Sequence, residues 1–135
     1  MSPSIKPFIA VWTNFTPDHV DWHQGLENYF NAKARIFKEP QNAQYSILNA
    51  KDEKLMAFSK EAKGTIFMFA ENIGDNCCYE KNNSIIFKRN GIEEEIIKLE
   101  QCPLIGEHNY QNIMCAIICA KLVNIDNETI KQAIM

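Results

Sequence analysis

No uninterrupted apolar run in this sequence is longer than residues 113–120, where Lys121 ends it. A bilayer crossing needs roughly 20 such residues, so no membrane insertion is expected. Basic charge is not in excess either, with 14 Lys and Arg against 17 Asp and Glu and a formal charge of -3. That balance supplies no overall field for phosphate backbones, and no local basic patch stands in for one, so nucleic acid is not an expected partner. The 5 cysteines are odd in number and irregular in spacing, unlike a small disulfide-stapled secreted scaffold. No CxxC pair and no Cys/His quartet with finger spacing occurs, so free thiols are expected, with Cys115 and Cys119 packed in a core. The opening Met1-Ser2-Pro3-Ser4-Ile5-Lys6-Pro7 has neither the charged lead nor the apolar stretch of a secretory signal, which points to the cytosol. Repeats, low-complexity tracts and linker-like clusters are missing too. What is present, 46% hydrophobic and 23% charged residues over 135 positions, is the composition of one globular domain.

Residues 8–13 are apolar, β-branched and aromatic, and predict a buried strand ending at the polar Asn14. Residues 26–37 carry apolar side chains at the helical period, and Pro40 stops that helix. A strand over 44–48, a helix over 52–63 with Asp52 as N-cap, and a strand over 65–69 follow. Strand alternating with helix predicts an α/β fold with a mostly parallel sheet flanked by helices. Residues 77–79, 84–88 and 94–99 then read as short strands joined by turns at 81–83 and at Asn90-Gly91, a small antiparallel meander. A helix over 108–123, with Ile113, Ala116, Ile117 and Ala120 on its apolar stripe, precedes another that starts at Asn127.

Three places do not fit a plain core. Lys33 falls beside Tyr29, Phe30 and Phe37 on an apolar helical stripe, so either its stem packs while its ammonium reaches water, or it is a desolvated amine open to covalent chemistry. Asp18, His19, Asp21 and His23 bring two carboxylates and two imidazoles together just past a predicted strand. They read either as a capping Asp18 with surface histidines or as ligands for a divalent cation such as magnesium. Gly106 to Asn112 leads into the late helix with Asn109 and Asn112 on one face. Asn109 there is either an N-cap or, with Asn112, half of an amide pair suited to a purine edge.

Taken together, Thr13-Asn14-Phe15-Thr16-Pro17-Asp18-His19-Val20-Asp21-Trp22-His23, Glu27 to Phe37, Leu48-Asn49-Ala50-Lys51-Asp52 and Gly106-Glu107-His108-Asn109-Tyr110-Gln111-Asn112 resemble the central domain of the Mur ligases over about residues 8–123. These are ATP-dependent amide-forming enzymes of peptidoglycan synthesis, and the wording around Lys33 and Gly106 is most similar to the D-glutamate-adding branch. The resemblance implies that Lys33 is carbamylated and, with His19, holds Mg2+, and that Asn109 and Asn112 contact the adenine of ATP. It further implies a reaction in which a muramoyl-alanine carboxylate becomes an acyl phosphate and is attacked by the amino group of D-glutamate, with the nucleotide-sugar precursor and D-glutamate as partners.

The sequence departs from that pattern at one point of consequence: no GxxxxGK run followed by Ser or Thr occurs. The expectation is therefore a truncated central, ATP-binding domain over residues 1–135. The phosphate loop, the upstream UDP-sugar domain and the downstream domain would all be missing, leaving the chain inactive alone. A non-catalytic nucleotide and magnesium or interaction module, or a piece of the third-residue-adding ligase, is the alternative. An exposed sheet edge at the first strand would favour association between chains.

Overall fold

The computed structural model describes residues 8–13, 34–38 and 43–135. Its strands follow chain order across the sheet: β1 (Ile9–Trp12), β2 (Tyr45–Asn49), β3 (Thr65–Phe69), β4 (Cys77–Lys81), β5 (Ser84–Arg89) and β6 (Ile92–Lys98). β1 and β2 are parallel, as are β3 and β4, whereas β4, β5 and β6 form an antiparallel meander. With helices α1 (Glu53–Phe58), α2 (Glu107–Leu122) and α3 (Asn127–Ile134), this is the mixed α/β architecture that the alternation predicts. The chain divides into two compact units, Met1–Ile66 and Phe67–Met135. Among the described residues no helix is long and apolar enough to cross a membrane.

In the first unit, β1 pairs with β2 from Ile9 opposite Tyr45 to Trp12 opposite Leu48. Ala10 and Trp12 are buried while Val11 is exposed, so β1 is buried on one face, not on both as its continuous apolar run suggests. Trp12 stacks on Phe37 at 5.4 Å between ring centroids, and Phe58 meets the two rings edge-on at 5.7 and 5.9 Å. This aromatic trio joins β1, the 3-10 turn Arg35–Phe37 and α1. The Asp52 carboxylate accepts from the Lys54 and Leu55 amides at 3.0 and 3.2 Å, the expected cap. α1 nevertheless ends at Phe58, earlier than the periodicity predicts. The Ser59 hydroxyl donates back to the Met56 carbonyl at 2.6 Å, giving the backbone a local alternative to further helix. Gly64 then passes at φ +82°, where a Cβ would come within 2.6 Å of the Ala43 carbonyl oxygen. Only glycine permits that approach.

In the second unit both hairpins turn on two residues with positive φ, Asn82-Asn83 at 53° and 61° and Asn90-Gly91 at 53° and 82°. That pairing matches the twist of the flanking strands. Lys81, expected in the first turn, belongs to β4 instead. β3 reaches its parallel neighbour β4 through residues 70–76 with no crossover helix. α2 packs on β4 and β5 and buries Met114, Cys115, Ile117, Ile118 and Leu122. The stripe expected through Ile113, Ala116, Ile117 and Ala120 is therefore rotated, and Ala116 is exposed. Met114, Ile118 and Leu122 recur every four positions with more apolar area than the alanines offer, so they win the sheet-facing side.

α3 is fixed to β6 and α2 by a three-way polar contact. Lys121 Nζ donates to Glu94 Oε1 at 3.2 Å and to Asn127 Oδ1 at 2.6 Å, and Asn127 Nδ2 donates to Glu94 Oε1 at 2.7 Å. The Asn127 hydrogen bond, with the Lys121 ammonium adding, holds the Glu94 carboxyl below its ordinary range. A depressed folded value means that the contribution is complete above the unfolded glutamate pKa of about 4.3 and is lost as pH falls through the lower folded value. Glu94→Gln is expected to cost about 1 kcal/mol near neutral pH, a gap that narrows as pH falls below about 4.3, read from urea melts of both chains. A gap between wild type and variant that stays constant on acidification would contradict the assignment.

Candidate functional site

Ligands of parallel α/β sheets gather beyond the carboxyl ends of the strands. In the first unit that place is organised by Asn49, the buried last residue of β2. Its Nδ2 donates to the Thr13 carbonyl at 2.8 Å, and its Oδ1 accepts from the Lys51 amide at 2.8 Å. One side chain thus fixes both the exit of β1 and the turn into α1. The exit of β1 is where the run from Asn14 to His23 begins. His19 and Lys33, together with Asp18, Asp21 and His23, lie outside the described residues. Among the described residues no group of three His, Cys, Asp or Glu that could hold a metal ion comes together.

In the second unit the amino end of α2 holds the other candidate residues. Gly106 is the N-cap, with φ 123° and ψ 148°, a conformation that favours glycine. Asn109 is consequently not the cap; it lies within the first turn of the helix. Its Nδ2 donates backward to the Ile105 carbonyl at 3.0 Å, closing the turn that enters the helix. Its Oδ1 has no partner among the described residues. Asn112, one turn on, is exposed, and its amide has no partner among the described residues. Leu104 and Ile105, at 59% and 81% exposure, place two large apolar side chains in the loop beside this turn. An open amide with both a donor and an acceptor, a second amide oxygen and a neighbouring apolar surface form a donor set that fits a purine: edge to the amides, face to the aliphatics.

A family model described as Mur ligase middle domain matches residues 1–120. The chain belongs to the Mur ligase middle-domain family. It is 38% identical over 129 residues to the UDP-N-acetylmuramoylalanine–D-glutamate ligase of Bacillus mycoides (strain KBAB4), covering 94% of this chain and 28% of that protein. It is 36% identical over 126 residues to the protein of the same name from Thermoanaerobacter sp. (strain X514), covering 93% of this chain and 28% of that one. The chain thus spans 28% of the length of these curated relatives. Its fold is similar to a solved UDP-N-acetylmuramoyl-L-alanyl-D-glutamate–2,6-diaminopimelate ligase, at a TM-score of 0.68 and 23% identity over 97% of this chain and 28% of that one. MurF from Acinetobacter baumannii is comparable, at 0.66 and 24% over 96% of this chain and 29% of that one. At those identities the structural likeness speaks to the fold alone.

Two arrangements in this Mur ligase domain escape a reading by residue type. Asn49 stands in a motif that the sequence singles out, yet its bond to Thr13 spans 36 positions and has no local signature. Glu94, Lys121 and Asn127 are each unremarkable charged or polar residues until the meander brings them together.

The Asn109 bond has a measurable consequence. Asn109→Asp replaces the donor with a carboxylate oxygen facing the Ile105 carbonyl, and is expected to speed hydrogen exchange of the amides at 106–110 while costing about 1 kcal/mol. Asn112→Asp is expected to leave those amides unchanged, because its side chain holds no part of the turn. Equal effects from both variants in exchange mass spectrometry would contradict the distinction.

Proposed function

We propose that this chain is the nucleotide-binding middle portion of a ligase that adds D-glutamate to UDP-N-acetylmuramoyl-alanine, working in the cytosol on soluble precursors. The observation that carries the reading is the amino end of α2, where Asn109 holds the loop of the exposed Ile105 through Nδ2 and the exposed Asn112 follows one turn on. The names of the relatives at 36% and 38% identity favour the D-glutamate-adding branch over the third-residue-adding one. In this reading Asn112 donates and accepts at the edge of adenine, while Asn109 accepts through Oδ1 and keeps the Ile105 loop in place through Nδ2.

His19 and carbamylated Lys33 are the residues proposed to hold Mg2+, with Asn49 securing the strand exit that leads to His19. Carbamylation requires a neutral amine, which desolvation by the apolar neighbours that the sequence period predicts for Lys33 would provide, and it turns a cation into an anionic oxygen ligand. The bound cation supplies charge stabilisation to a phosphoryl group moving from ATP to the muramoyl-alanine carboxylate. The acyl phosphate so formed is open to the amino group of D-glutamate. The 135 residues contain no GxxxxGK run followed by Ser or Thr, so we infer no ligase turnover by this polypeptide alone, whatever nucleotide it holds.

Titration calorimetry with ATP and magnesium on the 135-residue chain tests the reading. Saturable binding is expected, weakened about tenfold by Asn112→Ala, the loss of one to two hydrogen bonds. His19→Ala is expected to remove the magnesium dependence and leave base recognition intact. Absence of binding, or binding indifferent to Asn112, would overturn it.

A further inference from the structure

A pair of cysteines on α2 takes no part in the nucleotide reading. Cys115 and Cys119 are one helical turn apart, a spacing that places side chains on the same face, one above the other. Cys115 is buried against the sheet, Cys119 is half-buried and open to entry, and both are free thiols. We propose that Cys115 and Cys119 form a dithiol site for a soft, thiophilic centre that accepts two thiolates, of the class of trivalent organoarsenicals.

The helix itself selects this chemistry. Cβ atoms at this spacing lie about 5–6 Å apart, whereas a disulfide needs about 3.5–4.5 Å, so direct S–S closure would break the helical geometry. A bridging atom between the sulfurs removes that constraint. Among the described residues no third His, Cys, Asp or Glu joins such a group, which does not suit a four-coordinate zinc ion and does suit a centre completed by two sulfurs and its own substituent. Cys78, on the strand β4 that α2 packs against, is a candidate for a third sulfur, but it is wholly buried and offers no surface to an entering reagent.

Within the pair, Cys119 is the more exposed, and its neighbour Cys115 holds its thiol below the ordinary range, so Cys119 is the entering group and Cys115 completes the ring. With an arsenoxide the balance closes without a redox partner. Two As–S bonds form, the arsenic–oxygen bonding is lost, the two thiol protons leave with that oxygen as water, and arsenic remains trivalent. The product is neutral, which a half-buried apolar helix face tolerates far better than an ion.

Phenylarsine oxide added to the folded chain, followed by intact-mass measurement, tests the proposal. One phenylarsenic adduct is expected that survives excess glutathione and is removed by 2,3-dimercaptopropanol. Cys119→Ser and Cys115→Ser are each expected to lower retention in glutathione by about 100-fold or more, the loss of a second linked bond. Cys77→Ser and Cys102→Ser are expected to retain it. Circular dichroism establishes that each variant is folded, and Cys119→Ala serves if Cys119→Ser is not. A glutathione-stable adduct that persists without Cys119, or none on the folded wild type, would overturn the site. Neither result bears on ATP binding, so this site and the nucleotide reading fail separately.

Discussion

The burial of one face of α2 against β4 and β5 decides the rest of the second unit. Met114, Ile118 and Leu122, with Cys115 and Ile117, are removed from water on the sheet, and each large aliphatic side chain so buried is worth about 1.5–3 kcal/mol. Once that face is assigned, every other residue of the helix has its direction fixed. Asn112 is turned to solvent, Asn109 is set at the entrance turn, and Cys119 is left half-covered. Lys121 is placed where it meets Glu94 and Asn127. The exposed face of the helix is the remainder of its packing face.

The first unit follows the same logic with polar groups in place of a helix face. Trp12, Phe37 and Phe58 anchor β1 and α1 from within. At the carboxyl ends of the strands, a single buried amide on Asn49 satisfies the Thr13 carbonyl and the Lys51 amide. A buried amide with these partners is costly to replace, because removing it takes a hydrogen bond from each of two backbone groups. That constraint explains why an asparagine, of little value to a strand by propensity, closes β2.

Much of this was legible in the residues and some was not. The hairpin at Asn90-Gly91, the Asp52 cap and the β3 strand follow from local chemistry, and each stands where its signal lies. The family was legible from Gly106 to Asn112 and from the surroundings of Lys33. The rotation of α2 was not, because Ile113 and Ala116 fit a helical stripe as well as Met114 and Ile118 do until the sheet selects by bulk. The role of Asn109 was legible only as an alternative between cap and base contact. The structure gives the cap to Gly106 and commits one Asn109 amide N–H to the Ile105 carbonyl. Long-range polar contacts such as Asn49 to Thr13 leave no trace in spacing, since their partners meet only after the strands pair.

The claim on which the account rests is that the amino end of α2 in this Mur ligase domain recognises an adenine edge through side-chain amides. The most direct measurement is the side-chain amide spectrum of the nitrogen-15-labelled chain, titrated in parallel with ATP and GTP. The account predicts a saturable shift of the Asn112 side-chain NH2 signal with ATP, with little or none at matched GTP. Equal shifts with both nucleotides, or an Asn112 signal that never moves while other residues respond, would contradict it.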